Sequence, residues 1–273
     1  MTRDFENKHV LITGAGSGIG RETAFAFAES GAALELVDIA VEGLERTALL
    51  CRNLGATAHA HVVDVSDAQA MKGLAERVHA RAGALDVLMN NAGVGVAGDF
   101  VGTELSAWDW AIAINVKGVV HGCHFFLPNM IARGGGGHVV NVASAAGLVA
   151  PRGMSVYATT KFAVVGLSES LRAELAQHRI GVTTLCPGVI DTPIVRNARR
   201  TGTLAEDEGF NERVATLYHK RNYGPDRVAK AVLDAVRNDR SVVPVAPEAW
   251  AMYYGKRFVP RIMGAIMRRE MKV

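Results

Sequence analysis

The feature that most restricts the fold is the run Thr13-Gly14-Ala15-Gly16-Ser17-Gly18-Ile19-Gly20, which follows the apolar residues 9–13 and leads into a helical stretch over 21–30. A strand that passes through closely spaced glycines into a helix makes a tight turn that a ligand can approach. Unpaired N–H groups and the positive dipole end of the helix favour a phosphate at that point. A second apolar run, 33–38, ends at Asp38, close to the spacing at which an acidic residue meets a ribose in dinucleotide sites. Its carboxylate can accept hydrogen bonds from both ribose hydroxyls. A 2′-phosphate there meets a like charge with no basic residue immediately beside it in the sequence, so NAD(H) is expected over NADP(H).

Further apolar runs over 59–64, 86–90, 138–143, 182–186 and 242–245 read as buried strands, with longer helical patterns between them. Alternating strands and helices imply an α/β fold in which crossover helices cover both faces of a parallel sheet. The expected architecture is one doubly wound sheet of about seven strands in the order 3-2-1-4-5-6-7. The glycines at 134–137 read as a tight connection before a strand rather than a domain boundary. Asp64-Val65 and Asn90-Asn91-Ala92-Gly93 arrive at the carboxyl edge of the sheet, where such folds bind ligands. Asp64 can contact an adenine or cap the next helix.

A chain of 273 residues with 49% apolar content suits one catalytic domain, taken as 1–246. The net charge of +3 is small and its signs are interspersed, which excludes a nucleic-acid-binding role. Cys51, Cys123 and Cys186 are widely separated and read as buried free thiols, not as a disulfide framework or metal site, which fits a reducing cytosol. Residues 1–8 are polar and lack the apolar core of a signal peptide, and no later stretch is expected to span a bilayer.

Tyr157 and Lys161 lie four residues apart in the helical stretch 155–177, so they share one face. Free tyrosine is a poor base at neutral pH, but a neighbouring ammonium and a cationic nicotinamide favour its phenolate. Such a pair alone is commonplace on protein surfaces. The preceding strand, however, delivers Ser144 to the same edge, where its hydroxyl can bind a substrate oxygen or merely cap a loop.

Through Thr13-Gly14-x-x-x-Gly18-x-Gly20, Asn90-Asn91-Ala92-Gly93, Ser144, Tyr157-x-x-x-Lys161 and Pro187-Gly188, the sequence resembles the short-chain dehydrogenase/reductase family over about residues 7–245. The resemblance implies a Rossmann fold with Tyr157 as general acid/base and Ser144 orienting the carbonyl or alcohol. Lys161 then binds the nicotinamide ribose and lowers the tyrosine pKa. Asn115, within 108–130, matches the family's fourth catalytic residue, whose local backbone holds a water linking the lysine to a proton relay. Gly14, Ser17, Gly18, Ile19, Gly20, Asp38, Asp64, Val65, Asn91, Ala92 and Gly93 are implied as cofactor-binding, together with Tyr157 and Lys161. Pro187, Gly188, Val189 and Thr192 are implied on the nicotinamide side, presenting the ring for pro-S hydride transfer. The implied activity interconverts a secondary alcohol and a ketone with NAD(H). An NADP-dependent ketoacyl or carbonyl reductase and a non-catalytic NAD-binding scaffold are the alternatives.

Two segments fit the alternating pattern poorly. Residues 193–223 have the length of a substrate lid, with Ile194, Val195, Leu204 and Phe210 facing Val94, Val96, Leu148, Val149 and Met154 across an apolar pocket that suits a lipophilic substrate. Residues 247–273 read as a basic amphipathic extension, helical after Phe258, with Val259, Ile262, Met263, Ile266 and Met267 on one side and Arg261, Arg268 and Lys272 away from them. That extension can pack on the core or another subunit, close the pocket, or make a peripheral membrane contact. His121 and His124 read as packing or interface residues in a homodimer or homotetramer.

Overall fold

The computed structural model describes residues 4–268; residues 1–3 and 269–273, and with them Lys272 of the expected basic cluster, lie outside the described residues. The strands are β1 (His9–Thr13), β2 (Ala33–Asp38), β3 (Ala58–Val62), β4 (Val87–Asn90), β5 (Val96–Ala97), β6 (Gly137–Val142), β7 (Ile180–Pro187), β8 (Arg199–Arg200) and β9 (Val242–Val245). The helices are α1 (Gly18–Glu29), α2 (Val41–Asn53), α3 (Ala68–Ala82), α4 (Leu105–Ile112), α5 (Gly118–Arg133), α6 (Ser155–Leu175), α7 (Phe210–Arg221), α8 (Pro225–Arg237), α9 (Pro247–Phe258) and α10 (Pro260–Met267).

Seven strands pair in parallel in the order β3-β2-β1-β4-β6-β7-β9, which is the expected order once the two-residue strands β5 and β8, paired only with each other, are set aside. Successive strand residues alternate between two cores, as a period of two demands. Val10, Ile12, Leu34 and Leu36 join the core under α1, α2 and α8. Leu11, Val37 and Val139 join the one under α3, α5 and α6. The strand order reverses between β1 and β4, which opens a crevice at their carboxyl ends.

Several expectations need correction. β3 stops at Val62, two residues short of Asp64, and the cap of α3 is Asp67, whose carboxylate accepts from Gln69 and Ala70; Asp64 instead accepts from the amide and hydroxyl of Ser66. The stretch 105–133 is one continuous helix of 29 residues, long and apolar enough to cross a membrane by length and composition. Here Phe126 and Met130 on its inner side are spent on the sheet. The three cysteines are buried free thiols, and Gly134 ends α5 in the left-handed conformation just before β6.

The carboxyl-terminal stretch forms two helices, each opened by a proline at its first turn. Met263 of α10 is buried, lying where a side chain on Gly255 of α9 would sit. Val259, Ile262 and Ile266 face outward, so the expected single apolar side is divided.

Candidate active site

The glycine turn is built to be approached. Gly14 and Gly18 have positive φ, and a side chain on Gly14 would lie 2.9 Å from the Ala92 backbone. Thr13 fastens the turn to the neighbouring strand end: its hydroxyl accepts from the amides of Asn91 and Ala92, and its carbonyl accepts from the Asn91 side chain. Ser17 is the amino-terminal cap of α1 but makes no side-chain cap bond, and the first turn holds no acidic residue. Helix N–H groups and the positive dipole end therefore face the crevice without a counterpart from the protein, the arrangement that fits a pyrophosphate. Asp38 stands at the end of β2, accepting from Gly16 N at 2.8 Å and Ala40 N at 2.9 Å.

Across the crevice, β6 delivers Ser144, which caps a short 3-10 turn by accepting from Ala146 N at 3.1 Å. The first turns of α6 carry Tyr157 and Lys161, with the lysine Nζ 5.6 Å from the centre of the tyrosine ring and donating to Val142 O at 2.9 Å. Burial pushes the Tyr157 phenol up to about 12, opposed by a hydrogen bond to Ser144, while the second phenol of Tyr218 adds to the rise. Burial pushes the Lys161 ammonium down to about 8. The lowering expected from Lys161 does not offset this rise: what opposes burial at Tyr157 is the hydrogen bond to Ser144.

Asn115 sits in a π-helical turn (Ala113–Lys117) between α4 and α5. Its side chain is fully committed: Oδ1 accepts from Val94 N at 2.8 Å, and Nδ2 donates to Val94 O and to the Thr160 hydroxyl. Any part it has in a proton relay falls to its backbone, which a π turn frees from regular pairing. A side chain on Gly93 would lie 3.1 Å from Asn115 Oδ1 and 3.4 Å from Lys161 Nζ, so Gly93, Asn115 and Lys161 form one packed corner.

A hydroxyl that can exchange a proton, a second hydroxyl beside it, a buried ammonium and an uncapped glycine turn thus converge on one crevice. Residues 8–202 match the short chain dehydrogenase family. The chain belongs to that family. Oxidoreductase EphD of Mycobacterium tuberculosis is 43% identical over 267 residues, covering 97% of this chain but 45% of that protein, so the chain spans less than half of that relative. Human estradiol 17-beta-dehydrogenase 11 is 33% identical over 268 residues, 97% of this chain and 83% of that one. A short-chain dehydrogenase/reductase from Burkholderia phymatum, solved in complex with NAD, superposes with a TM-score of 0.85 at 29% identity, covering 99% of this chain and 98% of that one.

In this member of the family the segment 193–223, expected as a lid, is tied to the stretch that follows β4. β8 pairs with β5, and the hydroxyls of Thr201 and Thr103 meet at 2.7 Å. Val94, Leu148, Met154, Ile194 and Val195 are partly exposed around the crevice. Val96 and Val149 are almost fully buried, at 3% and 1% exposed. Val96 joins a small core with Ala107, Ala111 and Val156.

After β7, Thr192 lies 3.3 Å from where a side chain on Gly18 would begin, bringing that loop to the glycine turn. Pro187 ends β7, and Gly188 N is bonded to Val245 O. The amide of Val189 donates to Glu248 Oε1 at 2.6 Å, which leaves its carbonyl for a ligand. Glu248 also pairs with Arg221 at the end of α7. Val65 is buried, and its carbonyl accepts from His121, which fixes His121 as a packing residue.

Sequence reasoning gave no role to Thr160, Tyr218, Glu248 or Arg21, and none to Thr13 beyond opening the glycine motif. Only Thr13, directly before the glycines, stood where a motif signal could reveal it. Arg21 donates to Gly16 O and, at 3.1 Å, to the Thr47 hydroxyl, so a basic residue does reach the turn that Asp38 holds.

The buried Lys161 yields a test of its own. Its folded pKa, about 8, is below the ordinary 10.5, so folding is penalised by charge burial. That penalty is full below pH 8 and disappears as pH rises through 10.5. Lys161→Met is therefore expected to raise the thermal midpoint of the cofactor-free protein near neutral pH, less ~1 kcal/mol for the lost bond to Val142, while abolishing turnover. The gain should shrink in thermal melts between pH 8 and 10.5. A pH-independent difference contradicts a buried ammonium.

Proposed function

We propose that the protein is an NAD(H)-dependent oxidoreductase that interconverts a lipophilic secondary alcohol and its ketone. The observation that carries this is the convergence of Tyr157, Ser144 and Lys161 on the edge that also presents the uncapped glycine turn and Asp38. A bound nicotinamide dinucleotide supplies the hydride donor or acceptor.

The chain's own residues supply position and proton. Ser144 is placed to hold the substrate oxygen by hydrogen bonding, without adding charge. Tyr157, protonated at neutral pH in the protein alone, is ready to give its proton to a ketone oxygen. In the reverse direction it must accept the alcohol proton, which needs nearby positive charge to bring its pKa down; Lys161, cationic below about 8, stands 5.6 Å from the ring. Gly14, Gly18 and Gly20 with the first turn of α1 hold the pyrophosphate, and Asp38 the adenosine ribose.

The partly exposed Val94, Leu148, Met154, Ile194 and Val195 support an apolar substrate, as do the names of the steroid-dehydrogenase relatives. Exposed Val120 on α5 and Phe162 on α6 support assembly as a homodimer or homotetramer through those helices.

A second reading, an NADP-dependent reductase, draws on Arg21 beside the turn. Initial rates with NAD and NADP, using secondary alcohols of increasing chain length, separate the two. Asp38→Asn is the informative variant: its one amide oxygen can keep the bond from Gly16 or from Ala40, where alanine would release both. Preference for NAD in the parent and a shift toward NADP of about tenfold or more in the variant, ~1.4 kcal/mol of relieved repulsion, support the proposal. Unchanged selectivity removes Asp38 from ribose recognition, and no turnover with either cofactor overturns the activity.

A further inference from the structure

The outer face of α9 and α10 has no role in the site. Trp250, Tyr254 and Phe258 recur every four residues along α9, and their rings stack at 5.7 and 6.2 Å. All three are exposed, Phe258 at 76%, and the row continues into exposed Ile262 and Ile266 of α10. Every charged residue over 249–268 is basic: Lys256, Arg257, Arg261 and Arg268. No ion pair engages these four among the described residues, although Arg257 lies over the Tyr253 ring.

This face adjoins the mouth of the site. Arg152 N donates to Met267 O, and Gly98 N donates to Gly153 O, so α10 and the loop after β5 flank the same segment, 149–154. That loop exposes a second apolar patch, Phe100 at 67% and Val101 at 93%. Between α9, α10 and the segment 149–152 is a cavity of about 530 Å³ lined by Arg152, Lys256 and Arg268 above the apolar Val149, Pro260 and Met263.

We infer that this face docks on an anionic lipid bilayer, with the aromatic and aliphatic row entering the interface and the arginines and lysine meeting lipid phosphates. Exposed aromatics beside unpaired cations match the two layers of a membrane surface, apolar chains beneath anionic headgroups. A second copy of the chain fits less well, because a two-fold contact through this face brings like charges together, and Glu248, the carboxylate α9 carries, is already engaged by Val189 N and Arg221. Docking turns the segment 149–154 and the site's mouth toward the lipid. The inference does not depend on the proposed alcohol chemistry.

Co-sedimentation of the full chain with phosphatidylcholine vesicles, with and without phosphatidylglycerol, tests it. The protein is expected to pellet with the anionic vesicles, less so at high salt and far less with neutral ones. Arg261→Glu/Arg268→Glu should weaken that binding by at least about tenfold, and Ile262→Ser/Ile266→Ser should weaken it comparably, with thermal midpoints held near the parent's. Parent protein that stays in the supernatant overturns the inference, as does binding indifferent to both variants. Vesicle-free self-association that the same substitutions abolish, without pelleting, assigns the face to a second copy and overturns it as well. Because the readout is binding, failure of the proposed activity leaves this result interpretable.

Discussion

Gly20→Ala is expected to cost the protein its cofactor. A methyl group there would lie 2.2 Å from the Gly14 carbonyl oxygen and 2.7 Å from the Asn91 amide nitrogen. The first contact is with backbone, so the turn itself must move. Asn91 also donates to the carbonyls of Thr13 and Gly14, so the displacement reaches the end of β4. Overpacking of this kind costs about 1–3 kcal/mol of stability. Affinity for NADH should fall more steeply, on the order of a hundredfold, because ~2.7 kcal/mol corresponds to one or two charge-assisted hydrogen bonds from a displaced helix end. Titration by fluorescence and a thermal melt measure the two losses. Gly166→Ala is the control: this glycine lies in α6 with nothing within 4 Å of the added carbon, and alanine there should stabilise by ~1 kcal/mol. Retained NADH affinity in Gly20→Ala would remove the turn from cofactor binding.

The scaffold was legible because its signals are local and strong. Continuous apolar runs locate strands buried on both faces, and glycines between a strand and a helix are rare without a ligand to accommodate. The strand order and the edge that carries Ser144, Tyr157 and Lys161 follow from them. What could not be read is what depends on distant residues meeting. Glu248 reaches Val189 from 59 positions along the chain, and nothing near either residue announces it. β5 and β8 are two residues each, too short for a periodic signal, yet they tie Arg199 and Arg200 to the stretch that follows β4. Arg21 reads as an ordinary helix residue until its guanidinium is found on the Gly16 carbonyl. Apolar type placed Val96 and Val149 in the pocket, but not how deeply the neighbouring elements bury them. The tyrosine pKa depends on desolvation, which a spacing of four residues cannot report.

The most direct measurement of the central claim, that Tyr157 is the proton-transfer group, is the paired determination of turnover and NADH affinity in Tyr157→Phe. The substitution removes the phenol oxygen and its hydrogen bond to Ser144 while keeping the ring against Lys161. Loss of a general acid/base lowers turnover by about 10²–10⁴-fold, and the rate in this variant is expected at the severe end because Ser144 is too weak an acid to take over. NADH affinity should stay within about threefold of the parent's, a change below ~0.7 kcal/mol. Turnover lost with NADH binding intact is the predicted result. A variant that keeps its turnover within tenfold of the parent, or that loses NADH binding along with it, contradicts the assignment.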